Sequence, residues 1–181
     1  MNLTLETERL WLRPWRGADL APFTAMNADP RVMEHFPAPF TPEESEAQVE
    51  RFRLCWQRHG IGRFAVEEKA SGRFLGMVGV SPVDYETPFT PAHEIAWRLV
   101  AEAWGRGLAS EAARRCLEDA FRRVGLAEVV AMTALPNRRS EAVMLRIGMA
   151  RDPEGDFEHP LVEPGHPLRA HLLYRLRNPA N

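Results

Sequence analysis

One stretch limits the folds open to this chain more than any other: residues 94–121, EIAWRLVAEAWGRGLASEAARRCLEDAF. Ile95, Trp97 and Leu99 alternate with Glu94, Ala96 and Arg98, the period of two of a half-buried strand. Trp104-Gly105-Arg106-Gly107-Leu108-Ala109-Ser110 follows, and then Ala109, Ala113, Cys116, Leu117, Ala120, Phe121 and Val124 recur at helical spacing. Strand, glycine turn and helix are thus read in that order. Two glycines at such a turn let the backbone bend sharply and approach a ligand with no Cβ in the way. The first N–H groups of the helix lack intrahelical acceptors, and about half a positive charge collects at that end. The combination is a cradle for phosphate, formed by the backbone of Gly105, Arg106, Gly107, Leu108, Ala109 and Ser110. An ordinary tight turn has the same composition, so the ligand must be argued from the surroundings.

Two phosphate-binding classes fit poorly. A Walker loop needs Gly-Lys-Ser/Thr after its last glycine, and this turn has Gly107-Leu108-Ala109. A dinucleotide fingerprint needs a third glycine or an alanine where Ser110 stands, and it follows the first strand of its unit, whereas this turn lies past mid-chain. The turn resembles instead the acetyl-CoA pyrophosphate loop of the GNAT N-acetyltransferases, Arg/Gln-x-x-Gly-x-Gly/Ala, with Trp104 in the leading position. That replacement is usual in the ribosomal-protein N-acetyltransferase-like branch, whose Trp-Gly-Lys/Arg-Gly-aromatic-Ala-x-Glu-Ala run is matched over 104–112 except that Leu108 replaces the aromatic. The segments 5–10, 29–33 and 173–176 resemble the same branch, so the likeness spans about residues 5–176.

Length and composition set the frame for that reading. The 181 residues suit one domain, 1–181, with a core of ordinary size. A net charge of −2 disfavours nucleic acid as a partner. No apolar run approaches the roughly 20 residues of a membrane span, and the first eight residues lack the apolar core of a signal peptide. A cytoplasmic location is expected. Cys55 and Cys116 have neither metal nor disulfide spacing and read as inert thiols, so no metal is expected.

The remaining elements follow from local pattern. Residues 9–13 alternate as a first strand ended by Pro14, and Asp19 is placed to cap a helix reaching about Ala28. Residues 32–36 suggest a further helical turn. Thr41-Pro42-Glu43-Glu44 opens a helix with a capping box, Val49, Phe52, Trp56 and His59 continue it, and Gly60 stops it. Residues 64–69 and 74–80 form a hairpin about Ala70-Ser71-Gly72. A proline-bearing loop over 83–92, with Tyr85 and Phe89, leads into the Glu94 strand, where it can wall a pocket or lie in solvent. Residues 128–133 are a strand, Asn137 caps a helix ended by Gly148, and 149–151 and 169–176 are strands about an acidic, proline-rich loop.

The strands on either side of the glycine turn, joined through a helix, should be parallel neighbours, and the hairpin and terminal strands antiparallel. The expected fold is α+β, a mixed, mostly antiparallel sheet flanked by helices, which is also what the resemblance implies. The resemblance further implies that the strands of Glu94–Leu99 and Val129–Thr133 splay apart to admit pantetheine, with acetyl-CoA as co-substrate. Asn137 and Ser140 match the family's Asn-x-x-Ser segment, whose Asn bonds the pantetheine arm. The N–H groups of Leu99 or Val100 would receive the thioester oxygen, and Glu94 would deprotonate a primary amine through water. Many relatives place a tyrosine acid where this chain has Met144. The alternatives for Glu94 are a solvated strand end or an ion pair with Arg98. Acids at 43, 44, 46, 152, 154, 156, 158 and 163 are either solvated surface or walls that concentrate a cationic acceptor. The rival to an N-acetyltransferase is a non-catalytic acyl-CoA-binding sensor. A homodimer is compatible with either.

Overall fold

Alternating apolar residues drive the assembly of one twisted sheet, and the helices cover its two faces. The computed structural model describes residues 3–180. Its strands are β1 (Leu5–Glu6), β2 (Leu10–Arg13), β3 (Arg63–Glu68), β4 (Phe74–Pro82), β5 (His93–Leu99), β6 (Glu128–Ala134), β7 (Ala150–Arg151), β8 (Phe157–Glu158) and β9 (Ala170–Arg177). The helices are α1 (Leu20–Ala28), α2 (Pro42–His59), α3 (Leu108–Asp119) and α4 (Arg138–Arg146). Strand order is β1-β2-β3-β4-β5-β6-β9-β7, with β8 on β9. Among the described residues only β5 and β6 run parallel, as the helical crossover through α3 requires, and the other pairings are antiparallel. The expected α+β sheet flanked by helices is the fold observed.

Two apolar layers hold it. Under α3 and α4, Leu108, Ala112, Cys116, Leu117 and Met144 pack against Val66, Val78, Ile95, Val129 and Leu172. Under α1 and α2, Phe23, Met26, Val49 and Phe52 pack on Trp15, Ala65 and Met77, with the Trp15 and Phe23 rings edge to face at 4.9 Å. The Thr41 box forms as read: its hydroxyl accepts from the Glu44 N–H at 3.2 Å and the Glu44 carboxylate accepts from the Thr41 N–H at 2.7 Å.

Several local expectations change. Residues 32–36 form turns, not a helix, closed by bonds such as Val32 N–H to Asp29 O (3.0 Å), before Pro37 and Pro39 end any regular ladder. Asp19 does not cap α1, because its carboxylate is taken by the Arg13 guanidinium (2.7 and 2.8 Å) and the Arg16 N–H (2.7 Å). The last turn of the α3 helix widens to a π-turn over Ala120–Val124. The two-residue strands β1 and β8 carry too little pattern to be read from sequence.

Candidate active site

The single parallel pairing creates the central feature of the molecule. β5 and β6 meet only at Glu94 and Val130; past that point the two strands run on with no further pairing between them. On its other edge β5 is fully paired with β4, from His93 to Leu99. The Val100 N–H donates to Leu75 O at 2.9 Å, which fixes the alternation: the backbone groups of Arg98 and Val100 face β4, and those of Trp97 and Leu99 face the splay. Val100 is therefore not a free donor, which corrects the expectation that either Leu99 or Val100 would serve. The Leu99 carbonyl is in turn filled by the Trp104 indole N–H at 2.9 Å. Trp104 thus ties the turn to the open edge, and the Leu99 and Trp97 N–H groups remain on it.

The glycine turn closes one end of this edge. Gly105 and Gly107 have φ of 71° and 76°, the left-handed region that glycine enters without strain. Gly107 caps α3 and brings no side-chain acceptor to the helix start. The first-turn N–H groups at Leu108, Ala109 and Ser110 are left for a ligand. Arg106 contributes backbone only, since its guanidinium pairs with Glu68. Arg9 and Glu111 clamp the turn from behind: Arg9 donates to Arg106 O (2.9 Å), while Glu111 accepts from Thr7 Oγ1 (2.6 Å), Arg9 N–H (2.9 Å) and Arg9 Nε (2.7 Å). These bonds preorganise the cradle.

Just past the end of the opposite strand, Asn137 caps α4, its Oδ1 accepting the Ser140 N–H at 3.1 Å. Asn137, Ser140 and Met144 all line one cleft of about 890 Å³ with Glu94, Trp97 and Arg98. The structure thus brings the sequence-selected strand and α4 residues together there, with Leu99 and the glycine turn beyond at the end of β5.

Glu94 lies on the face of β5 turned toward α2, its side chain 14% exposed. Its partner is Arg63 of β3, not Arg98. Arg63 stands opposite Gly79, and Gly79 opposite Ala96, so the sheet face between Arg63 and β5 is open enough for the pair to form across β4. Burial pushes the Glu94 carboxyl up and nearby Asp84 adds to this; Arg63 opposes it, and the net direction is upward. A carboxylate so placed holds a proton more readily than an exposed one, which suits a general base.

Three side chains on this wall were not assigned roles from sequence. Tyr85, from the 83–92 loop, reaches the cleft, and its O–H donates to Met132 Sδ at 3.1 Å. His159 Nδ1 accepts the Leu161 N–H, so its proton sits on Nε2, which donates to Tyr85 Oη at 3.1 Å. Burial, then His171, lowers His159 to about 4, and burial together with Glu94 raises the Tyr85 phenol. The third is Arg63, whose approach to Glu94 depends on strand register and leaves no trace in local pattern. The late-loop acids are largely occupied: Asp152 by Arg175, Asp156 by Arg151, and Glu158 by Arg169.

The family model described as Acetyltransferase (GNAT) domain matches residues 9–150. The FsC-acetyl coenzyme A-N(2)-transacetylase of Aspergillus fumigatus is 35% identical over 153 residues, 81% of this chain and 64% of its own length. Thus the chain spans somewhat less than two thirds of that relative. A solved acetyltransferase from Agrobacterium tumefaciens superposes with a TM-score of 0.79 at 29% identity, covering 98% of this chain and 95% of its own. A ribosomal L7/L12 alpha-N-protein acetyltransferase solved with coenzyme A shares the fold at 16% identity and a TM-score of 0.79, covering 99% of this chain and 100% of its own.

Proposed function

This chain belongs to the acetyltransferase (GNAT) domain family, and with acetyl transfer as the premise we propose that it moves the acetyl group of acetyl-CoA to a primary amine by direct attack. The observation that carries the reading is the unpaired edge of β5, which runs from the glycine turn at one end to the partly buried Glu94 at the other. A pantetheine arm anchored at the N-terminus of α3 passes Leu99 first and Trp97 next. It bonds their N–H groups as an added strand would. The thioester then lies toward Glu94, and its oxygen takes the negative charge of the tetrahedral intermediate against the open N–H donors. Asn137 flanks the arm from the β6 side.

Glu94 takes one proton from the acceptor ammonium, directly or through a water. The freed nitrogen attacks the thioester carbon, the C–S bond breaks as the nitrogen gives up a second proton to solvent, and CoA leaves as a thiolate that takes up a proton from solvent. A thiol has a pKa of roughly 8.5, so this leaving group needs little help. An alkylammonium titrates near about 10.4 and an α-ammonium near about 8, so deprotonating the amine is the harder demand at neutral pH. The base therefore matters more than an acid, which fits a chain with Met144 in the position where many relatives have tyrosine.

The test is CoA release from acetyl-CoA in the presence of a mixed set of primary amines, followed by mass analysis of the amines. The reading expects release that depends on an amine and an acetylated product. Tight acetyl-CoA binding with no amine-dependent release would instead identify a sensor of acyl-CoA.

A further inference from the structure

Arg98 sits on the same face of β5 as Glu94, four residues along, so their Cα atoms are about 13 Å apart at about 3.3 Å per residue. It is only 8% exposed, yet among the described residues it makes no ion pair. The nearest acid on its face, Glu94, is held by Arg63. Phe36 and Phe40 of the α1–α2 connection pack by the guanidinium, 4.4 and 5.2 Å from its carbon to their ring centres. Nη1 donates to Asn27 Oδ1 at 2.7 Å and leans toward Gln48 at 3.5 Å. The other edge is different: Nε is buried without an acceptor, and Nη2 meets none among the described residues. Nε and Nη2 together form the fork that receives the two oxygens of a carboxylate. A buried cation without a counter-charge is costly unless something supplies one. Burial, with Arg63 behind it, holds Arg98 down to about 9, so it remains protonated at neutral pH.

We propose that the free edge of Arg98 is a specificity subsite for a carboxylate on the acceptor, so that the substrate class is an amine bearing a carboxylate several bonds from the nitrogen. This rests on the amine-acceptor reading given above and deepens it. Neither Glu94 nor the ion-paired acids of the late loop leave a comparable vacancy for a cation.

Straight-chain ω-amino acids, the matching ω-amino amides and the matching diamines, compared at equal length with acetyl-CoA saturating, test it. The parent should favour the carboxylate over the amide by roughly tenfold or more in kcat/KM, as a charge-assisted bidentate contact warrants, with a definite optimum of chain length. Arg98→Gln should bring the carboxylate-to-amide ratio close to one, and Arg98→Lys, which keeps charge but loses the fork, should fall between. A ratio within one variant is insensitive to how much of that protein is folded, and the parent series needs no variant at all. Amides or diamines turned over as well as the acids would overturn the subsite while leaving amine acetylation intact. A carboxylate preference that survives in Arg98→Gln would overturn it too. If no amine of any charge is acetylated, the amine reading itself falls and the subsite with it.

Discussion

Arg13 and Asp19 make the most demanding polar contact outside the cleft. They are 5% and 3% exposed, joined by two bonds, with Glu67 Oε2 on Arg13 Nε at 2.7 Å. Burial alone would raise the Asp19 carboxyl, but Arg13 and the Arg16 N–H outweigh it and hold the group below its ordinary 3.8. A depressed carboxylate contributes stability that is present above its unfolded pKa and lost as pH falls through the folded one. Asp19→Asn should therefore cost about 2 kcal/mol at neutral pH, because the buried Arg13 guanidinium loses two charge-assisted bonds and keeps Glu67 alone as counter-charge. The gap to the parent in denaturant melts should shrink below pH 3.8. An unchanged midpoint at neutral pH would mean that the pair is neutral in worth. In the cleft, Tyr85→Phe should lower turnover by less than the roughly 10² that a general acid contributes, because the thiolate leaves unaided. A larger loss, with a basic limb of the parent's pH profile absent from the variant, would make Tyr85 the acid. Met144, 1% exposed, lines the cleft without a proton to give; Met144→Ala should cost about 2–5 kcal/mol with no new pH dependence of the rate. Alternation placed Glu94 on its strand face and the family resemblance suggested its role, whereas Arg63 and Tyr85 were not legible, since they reach it across strands or from a loop whose course no local pattern sets.

In the proposed reading, donor binding rests on the glycine turn. A Cβ on Gly107 would meet only Arg9 Nη2, at 3.7 Å, so space permits a side chain while φ of 76° does not favour one. Gly107→Val should then lose stability by about 1–2 kcal/mol from the left-handed backbone. Acetyl-CoA affinity should fall much further, because the branched side chain stands where the pyrophosphate must approach. Titration calorimetry on the folded fraction separates the two effects, and unchanged affinity would move the phosphate site elsewhere. This turn and the Thr41 box were readable because capping and periodicity are local. The same locality misled at Asp19, where a nearby helix start looked like the obvious use for the carboxylate and the long-range partner Arg13 won. It also misled at 32–36, read as a further helical turn, which the following prolines do not allow to propagate.

Across the whole molecule, the order of elements and the one parallel pairing followed from the sequence, because a strand–helix–strand unit has one favoured hand. What could not be read was how far that pairing runs. β5 and β6 part after a single register pair, and this leaves the Trp97 and Leu99 N–H groups on an open edge, while β4 has taken that of Val100. Among the described residues no helix is long and apolar enough to cross a membrane. The account as a whole rests on Glu94 acting as the base at the end of that open edge. The direct measurement is the pH–rate profile of Glu94→Gln beside the parent, with acetyl-CoA saturating and CoA release followed. The parent should gain activity on an acid limb set above the ordinary carboxylate value of 4.5. The variant should fall by roughly 10²–10⁴ near neutral pH and recover part of the loss as pH rises toward the pKa of the acceptor, with acetyl-CoA affinity little changed. Two overlaid profiles would contradict the account, leaving Glu94 as the structural partner of Arg63.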